Sequence, residues 1–378
     1  MKTAEPVRWR RQSQTGGLAM GVVWCSIAVL GGSPGDLDGN RLELRQGRVH
    51  PASAAATKTV MTVHQNQPIH LRVDDSIGDV LRHRAFAGFA RLLLPWDKGR
   101  DDQTLSLRSI GTLLPYHTQV DPSVVVDSLN RLIDDVSAGR TVFYDIYTDA
   151  QKQAEPSLKD TGLFFLRGKP GAPFAVIAPG GGFAYVGSLH EGFPYAVEIS
   201  KRGYNAFVLK YRAGRGGTAA TEDLAAALDY LFRNARALGV STAGYSVWGS
   251  SAGARMAAAI GSYGTARHGG SNLPKPATVV MLYTGHSDLG STEPPTFVAV
   301  GDRDGIASPA AMERRVSGLR RLGTEVLYRK YPGVGHAFGI GVGTTAAGWI
   351  ADAVGFWAKQ IAHAAHPDKA IAPVGGPR

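Results

Sequence analysis

From about residue 160 onward, short apolar runs alternate with stretches of helical hydrophobic spacing. The apolar runs have the length of buried strands and fall at 174–178, 206–209, 246–248, 278–283, 297–300 and 325–328. Helical spacing predicts helices at about 195–202, 221–238, 309–322 and 345–364. Strands that alternate with helices predict an α/β fold, a mostly parallel sheet with helices on both faces. Functional side chains are then expected at the carboxyl ends of the strands.

The first 58 residues are predicted to lie outside this fold. Residues 1–15 are polar and basic, and residues 16–32 are apolar and small, which resembles an export signal. Seventeen glycine-rich residues are short for a membrane span, so no stable span is expected. No small-residue cleavage site follows closely, and export and a cytoplasmic location therefore both stay open. Residues 33–58 are rich in Gly, Pro, Ala and Ser and are predicted to form a linker.

Residues 59–150 are predicted to form an N-terminal unit that leads into the sheet. Its pattern indicates a helix at 124–136 and a strand at 142–147. The unit carries no chemistry of its own, but it is the part of the chain that could cover a site as a cap. The predicted catalytic domain covers residues 151–366, and residues 367–378 are predicted to be a flexible tail.

Composition limits the classes of function. The net charge of +10 suggests a nucleic-acid partner, but the Lys and Arg residues are scattered and form no recognisable motif, so none is expected. The single cysteine, Cys25, excludes an intramolecular disulfide and a cysteine-based zinc site. No metal or other cofactor is predicted, and the oligomeric state is left open.

The candidate chemistry begins with a serine between a strand and a helix. Gly249-Ser250-Ser251-Ala252-Gly253 follows the apolar run that ends at Trp248, and small helix-forming residues come next. A nucleophilic serine on such a turn needs glycines on both sides to avoid clashes, which explains the Gly-x-Ser-x-Gly spacing. The same spacing recurs at 31–35, where a proline follows the serine and no helix is predicted. We therefore predict that Ser251 is the nucleophile.

A serine hydroxyl needs a base, and the base needs an acid to orient it. On a strand–helix turn these partners are expected in the order Ser, acid, His along the chain. The acid is Asp304 or Asp302, and Asp304 is preferred because it lies further out on its loop. The base is predicted to be His336, since the competitor His286 precedes the acid.

Backbone N–H groups are expected to complete the site. Residues 179–183 follow a predicted strand and contain three consecutive glycines, which let N–H groups turn inward. Gly181 and Gly182 are predicted to donate to an oxyanion together with Ala252, the residue after the nucleophile. The spacing fits neither a dinucleotide-binding loop nor a phosphate-binding P-loop.

These motifs together resemble the α/β-hydrolase superfamily. The resemblance covers about residues 160–360 and is carried by Pro-Gly-Gly-Gly-Phe at 179–183, Gly-Ser-Ser-Ala-Gly at 249–253, Gly-Asp-Arg-Asp at 301–304 and Gly-His-Ala-Phe-Gly at 335–339. It is closest to the acetyl-esterase and hormone-sensitive-lipase-like carboxylesterases. The resemblance implies an α/β-hydrolase fold with a triad of Ser251, His336 and Asp304. Pro179 stands where the lipase-like branch usually has histidine, as in sugar-acetyl-esterase-like members.

The function expected from these residues is a serine esterase. It would hydrolyse small acyl esters, including acetylated carbohydrates, through an acyl-enzyme. Two alternatives stay open: a peptidase on the same scaffold, and a non-catalytic binding protein with this fold.

Overall fold

A computed structural model of the chain describes residues 68–96 and 102–366. The predicted export signal, the linker up to residue 58 and the tail at 367–378 lie outside these residues. The division into an N-terminal unit and a catalytic domain at residue 150 stays a prediction.

The described residues build one mixed sheet. Its strands are β1 (Phe143–Tyr144), β2 (Gly162–Leu166), β3 (Pro173–Ala178), β4 (Asn205–Lys210), β5 (Ser241–Ser250), β6 (Thr278–Leu282), β7 (Thr296–Gly301) and β8 (Val326–Tyr331). Their spatial order is β1-β2-β4-β3-β5-β6-β7-β8. The pairs β1·β2 and β2·β4 are antiparallel, and every pair from β4 to β8 is parallel. The parallel part places the carboxyl ends of β3, β5, β7 and β8 at one edge.

Helices cover both faces of the sheet. They are α1 (Ile77–Arg82), α2 (Ala90–Leu93), α3 (Pro122–Ser137), α4 (Asp149–Ala154), α5 (Phe193–Lys201), α6 (Gly216–Leu238), α7 (Ala252–Tyr263), α8 (Pro309–Arg321) and α9 (Trp349–Ala365). Short 3₁₀ turns lie at Arg84–Phe86, Leu107–Leu113, Pro156–Asp160 and Thr265–His268, and a π-helical turn at Ser188–Gly192 leads into α5. None of the described helices is both long enough and apolar enough to cross a bilayer.

Local sequence explains where these elements begin and end. Asp121 caps α3 through its carboxylate, which accepts from the N–H of Ser123, and Pro122 occupies the first helical turn. Gly239 ends α6 in a left-handed conformation with φ 67°. Local residues therefore set where α3 begins and where α6 ends.

The mostly parallel sheet expected from the sequence is confirmed, with two differences at its antiparallel edge. The strand predicted at 142–147 is only two residues long, and beyond its end the hydroxyl of Tyr147 donates a hydrogen bond to Asp223. The strand β2 was not predicted, although all five of its residues are buried. Its sequence, Gly-Leu-Phe-Phe-Leu, is a continuous apolar run like the one at 174–178, so the sequence did carry the signal of a buried strand.

Two hydrophobic clusters occupy the two sides of the sheet. One joins α3, α5 and α9 to the sheet and also contains residues of the chain before α3, such as Ile77 and Phe86. The other joins α6, α7 and α8 to the opposite face. Residues on both sides of position 150 therefore share the first cluster.

Candidate active site

Ser251 lies at the apex of a sharp turn between β5 and α7. Its backbone has φ 50° and ψ −115°, a conformation that is strained for a residue with a side chain. A Cβ atom on Gly249 would lie 2.1 Å from the carbonyl oxygen of Gly253, and one on Gly253 would lie 1.9 Å from the carbonyl oxygen of Ala178. Both glycines are thus required by the close approach of β5, α7 and β3. The turn holds Ser251 at the carboxyl edge of the sheet.

Three predicted side chains form a hydrogen-bonded chain at this edge. Nε2 of His336 lies 3.0 Å from Oγ of Ser251, and Nδ1 lies 2.7 Å from Oδ2 of Asp304. When Nδ1 donates its hydrogen to the carboxylate, Nε2 is left to accept the serine hydroxyl. The side chains of His336 and Asp304 are almost fully buried, at 3% and 0% exposure. The arrangement can therefore move a proton from the serine to the imidazole.

The second oxygen of Asp304 is held by the backbone. Its Oδ1 accepts hydrogen bonds from the N–H groups of Ile306 at 2.9 Å and Ala307 at 2.7 Å. Asp302 instead accepts the N–H of Gly333 at 2.7 Å, as expected for a turn carboxylate. Of the two candidate acids, the structure brings Asp304 to His336.

His286, the competing candidate base, lies on the loop after β6. Its Nδ1 is 3.9 Å from a carboxylate oxygen of Asp288, and its ring lines the cavity in front of Ser251. Burial, followed by the charges of Arg315 and Arg255, lowers the pKa of His286 to about 4. The imidazole is consequently neutral near pH 7. The hydrogen bond to Ser251 comes from His336 and not from His286.

The glycine loop after β3 lies beside the serine turn. Gly181 and Gly182 have φ values of 126° and 62°, where a side chain would be strained. In the described part of the chain no carbonyl or side chain accepts from their N–H groups. The N–H of Ala252, at the start of α7, has no intrahelical acceptor either. Gly182 and Ala252 line the same cavity as Ser251, which has a volume of about 520 Å³.

A buried carboxylate supports the glycine loop from behind, and the sequence analysis missed it. Glu191 is fully buried and accepts the N–H of Gly180 at 2.6 Å and the hydroxyl of Tyr283 at 2.9 Å. Nε2 of His117 lies 3.3 Å from the same carboxylate. Burial opposes ionisation, but the charge and hydrogen bond of His117 and the N–H of Gly180 outweigh it, and the pKa of Glu191 falls to about 2. The signal available in the sequence is that Glu191 is the only Asp, Glu, Lys or Arg between Lys169 and Glu198.

Tyr283 connects this carboxylate to the base. Its ring packs against the imidazole of His336 at 5.0 Å between centroids, with the planes at 65°. Its hydroxyl also lies 2.8 Å from the hydroxyl of Tyr195, which accepts from Ser250 at 3.3 Å. The neighbour of the nucleophile and the glycine loop are therefore joined by one buried polar network, and the histidine packs against Tyr283 of that network.

Residues 116–118, from the chain before α3, bridge the two loops of the site. The hydroxyl of Thr118 donates to the carbonyl of His336, and its N–H donates to that of Ala337 at 3.3 Å. The N–H of Tyr116 donates to the hydroxyl of Tyr185 at 3.1 Å, on the other loop. His117, which lacks any motif context in the sequence, is buried between the loops and contacts Tyr185. The N-terminal part of the fold thus contributes directly to the site.

Comparison with known families finds one match. Residues 167–281 match the BD-FAE family model, an α/β-hydrolase-like domain. This segment contains the glycine loop and the serine turn, whereas Asp304 and His336 lie beyond it. A search of the curated proteins returned no match.

Solved structures with similar folds include three bacterial or environmental hydrolases. An acetyl ester-xyloside bifunctional hydrolase from Caldicellulosiruptor lactoaceticus is 18% identical, with a TM-score of 0.49, over 57% of this chain and 96% of its own. The carboxylesterase Cest-2923 from Lactobacillus plantarum is 19% identical, with a TM-score of 0.47, over 53% and 92%. An alpha/beta hydrolase from a Medee basin deep-sea metagenome library is 21% identical, with a TM-score of 0.47, over 53% and 93%.

The strand order, the strand–serine–helix turn and the family match at 167–281 agree with one another. On these grounds the described part of the chain has the α/β-hydrolase fold.

Proposed function

We propose that the protein is a serine esterase that hydrolyses small acyl esters, including acetyl groups on carbohydrates. One observation carries the proposal: the unbroken chain from Oγ of Ser251 through His336 to Asp304, with distances of 3.0 and 2.7 Å. The N–H groups of Gly181, Gly182 and Ala252 support it, because none of them has an acceptor in the described residues, and Gly182 and Ala252 line the cavity of Ser251.

In the proposed reaction, Oγ of Ser251 attacks the ester carbonyl carbon while Nε2 of His336 takes the hydroxyl proton. The carbonyl oxygen becomes an oxyanion that accepts from the N–H groups of Gly181, Gly182 and Ala252. His336 then gives its proton to the leaving alcohol oxygen as the carbon–oxygen bond breaks. Asp304 keeps the imidazole in the required tautomer and stabilises its positive charge.

The acyl-enzyme is hydrolysed by the same groups in reverse roles. A water molecule attacks the acyl carbon as His336 takes one of its protons, and the oxyanion forms again at the same N–H groups. Collapse breaks the bond to Ser251, whose oxygen recovers the proton from His336, and the carboxylic acid leaves. The triad side chains, the three backbone N–H groups and water supply every group that the proposed reaction uses.

Hydrolysis of p-nitrophenyl acetate tests this function. The wild type is expected to release p-nitrophenol, and Ser251→Ala is expected to lower kcat by at least about a thousandfold. Ser317→Ala is the matched control, because Ser317 is exposed on α8 and lies outside the cavity. Equal rates for the wild type and Ser251→Ala would exclude Ser251 as the nucleophile, and no hydrolysis above background by the wild type would favour a non-catalytic binding protein.

A further inference from the structure

The cavity in front of Ser251 continues along α7 into a second cavity. The second cavity has a volume of about 510 Å³ and shares Arg255, His286 and Asp288 with the first. Its other walls come from the start of α6, at Gly217, Thr218 and Thr221, and from the outer side of α7, at Ala259 and Tyr263, with Arg267 and His268 at the far end. We call this second cavity the side groove.

Arg255 stands where the two cavities meet. It lies in the first turn of α7 and lines the same cavity as Ser251. Its side chain is exposed, and in residues 68–96 and 102–366 no carboxylate lies within ion-pair distance of its guanidinium. This cation in the wall of the serine cavity is therefore available to a ligand.

The charges of the side groove favour an anion. Arg255 and Arg267 carry positive charge, and Asp288 is the acidic residue in the wall. Burial lowers the pKa of both His286 and His268, so neither imidazole adds charge near pH 7. The carboxylate of Asp288 is directed towards His286, from which it lies 3.9 Å away, and its side chain is 73% exposed. The wall of the side groove thus carries two guanidinium groups and one solvated carboxylate, which gives it a net positive charge.

The side groove also has a surface for a ring. The side chain of Tyr263 is about half exposed and lines the groove. The hydroxyls of Thr218 and Thr221 lie in the opposite wall, although Thr221 already donates to the carbonyl of Gly217. A flat aromatic side chain with nearby hydroxyl groups suits a polar ring.

We propose that the side groove binds the alcohol part of the substrate and selects alcohols that carry a carboxylate. The inference rests on the proposed function, because a small acyl group leaves the larger alcohol part to fill about 510 Å³. A guanidinium binds a carboxylate through two parallel hydrogen bonds, so Arg255 is the specificity-determining residue. Arg267 lies further from Ser251 and extends the preference to longer anionic alcohols.

A matched pair of acetyl esters tests the groove. The pair is 4-acetoxybenzoate and its methyl ester, which differ in charge at the far end of the alcohol. The measured quantity is kcat/KM for the charged ester divided by kcat/KM for the neutral ester. We expect Arg255→Gln to lower this ratio by about fivefold, because a solvent-exposed ion pair contributes at most on the order of 1 kcal/mol. We expect added sodium chloride to lower the wild-type ratio as well.

Arg320→Gln is the control. Arg320 is exposed on α8 outside both cavities, and its substitution removes the same charge as Arg255→Gln does. The ratio should stay at the wild-type value in this variant. An unchanged ratio in Arg255→Gln, with the neutral ester still hydrolysed by the wild type, would overturn the groove alone. If the wild type hydrolysed neither ester, the esterase proposal and the groove would both fail.

Discussion

Asp302 and Asp304 follow the same strand two residues apart, yet their carboxylates have different partners. Asp304 reaches His336 while its other oxygen is fixed by two backbone N–H groups, and Asp302 closes a turn at Gly333. The sequence could place both acids on the loop after β7. It favoured Asp304 from its position on the loop and from the family resemblance, whereas the direction of each side chain depends on backbone contacts that appear only in the structure.

Substitution of Asp304 and substitution of Asp302 are expected to have different effects on kcat. Asp304→Asn should lower kcat for ester hydrolysis by about a thousandfold or more, because the amide no longer holds the histidine in the required tautomer. Asp302→Asn should change kcat by less than about fivefold, since the amide oxygen can still accept the N–H of Gly333. Steady-state rates on p-nitrophenyl acetate give the comparison. Similar losses in both variants would contradict the assignment.

Glu191 predicts an acid-dependent contribution to stability. The pKa of its carboxyl is lowered from 4.5 to about 2 in the folded chain, so the unfolded chain binds more protons between these values. Its contribution is present above about pH 5 and is lost as the pH falls towards 2. At pH 7, Glu191→Gln should reduce the free energy of unfolding by about 1–3 kcal/mol, because the buried donors lose a charged acceptor.

Urea unfolding of the wild type and Glu191→Gln at pH 7, 5 and 3 measures this contribution. The gap in unfolding free energy between the two proteins should be smallest at pH 3, since the titration of all other acids is common to both. A gap that stays constant from pH 7 to pH 3 would show that the stability of the fold does not depend on ionised Glu191.

At the scale of elements, the serine turn depends on the close approach of β5 and α7. A methyl group on Gly249 would lie 2.1 Å from a backbone oxygen that cannot move without shifting α7. Gly249→Ala should therefore lower the free energy of unfolding by about 1–3 kcal/mol, which a lower melting temperature would report. Esterase activity should fall as well. Gly355→Ala is the control, because a Cβ atom there contacts nothing within 4 Å on the exposed side of α9.

The control variant should be as stable as the wild type or slightly more stable, since alanine favours a helix interior over glycine by about 0.5–1 kcal/mol. Equal melting temperatures for the wild type and Gly249→Ala would show that the turn tolerates a side chain. The steric reason for the glycine spacing would then be wrong.

The sequence was most informative about elements with clear periodicity. The strands β3 to β8 and the helices α5, α6, α8 and α9 were predicted to within a few residues, except for the first residues of β5 and α6. Those first residues, Ser241 and Gly216, are polar or small and give no hydrophobic signal. The buried network of Glu191, Tyr283 and Tyr195 could not be predicted, because it joins residues from distant parts of the chain.

At the scale of the whole molecule, the chain before β2 is part of the core. Leu132 in α3 and Val280 in β6 are both fully buried in the same hydrophobic cluster. Residues 116–118 add backbone hydrogen bonds to the loop that carries His336. The sequence assigned no chemistry to this part, since its contacts to the site come from backbone groups, one threonine hydroxyl and the side chain of His117, none of which belongs to a recognised motif.

A shared cluster predicts that α3 and the sheet unfold together. Leu132→Ala should destabilise the protein by about 2–5 kcal/mol, and Val280→Ala by a somewhat smaller amount. Circular dichroism and the fluorescence of the buried tryptophans should report one coincident transition in the wild type and in both variants. A separate early transition in Leu132→Ala alone would show that α3 belongs to an independent unit.

The central claim is that Ser251 is an activated nucleophile. A fluorophosphonate probe followed by mass spectrometry of the digested protein tests it most directly, because the probe reacts with activated serines. We predict a single adduct on the peptide that contains Ser251, no adduct in Ser251→Ala, and strongly reduced labelling in His336→Gln, which lacks the base. An intact wild type that takes up no probe at Ser251, or a Ser251→Ala variant labelled as strongly as the wild type, would contradict the account.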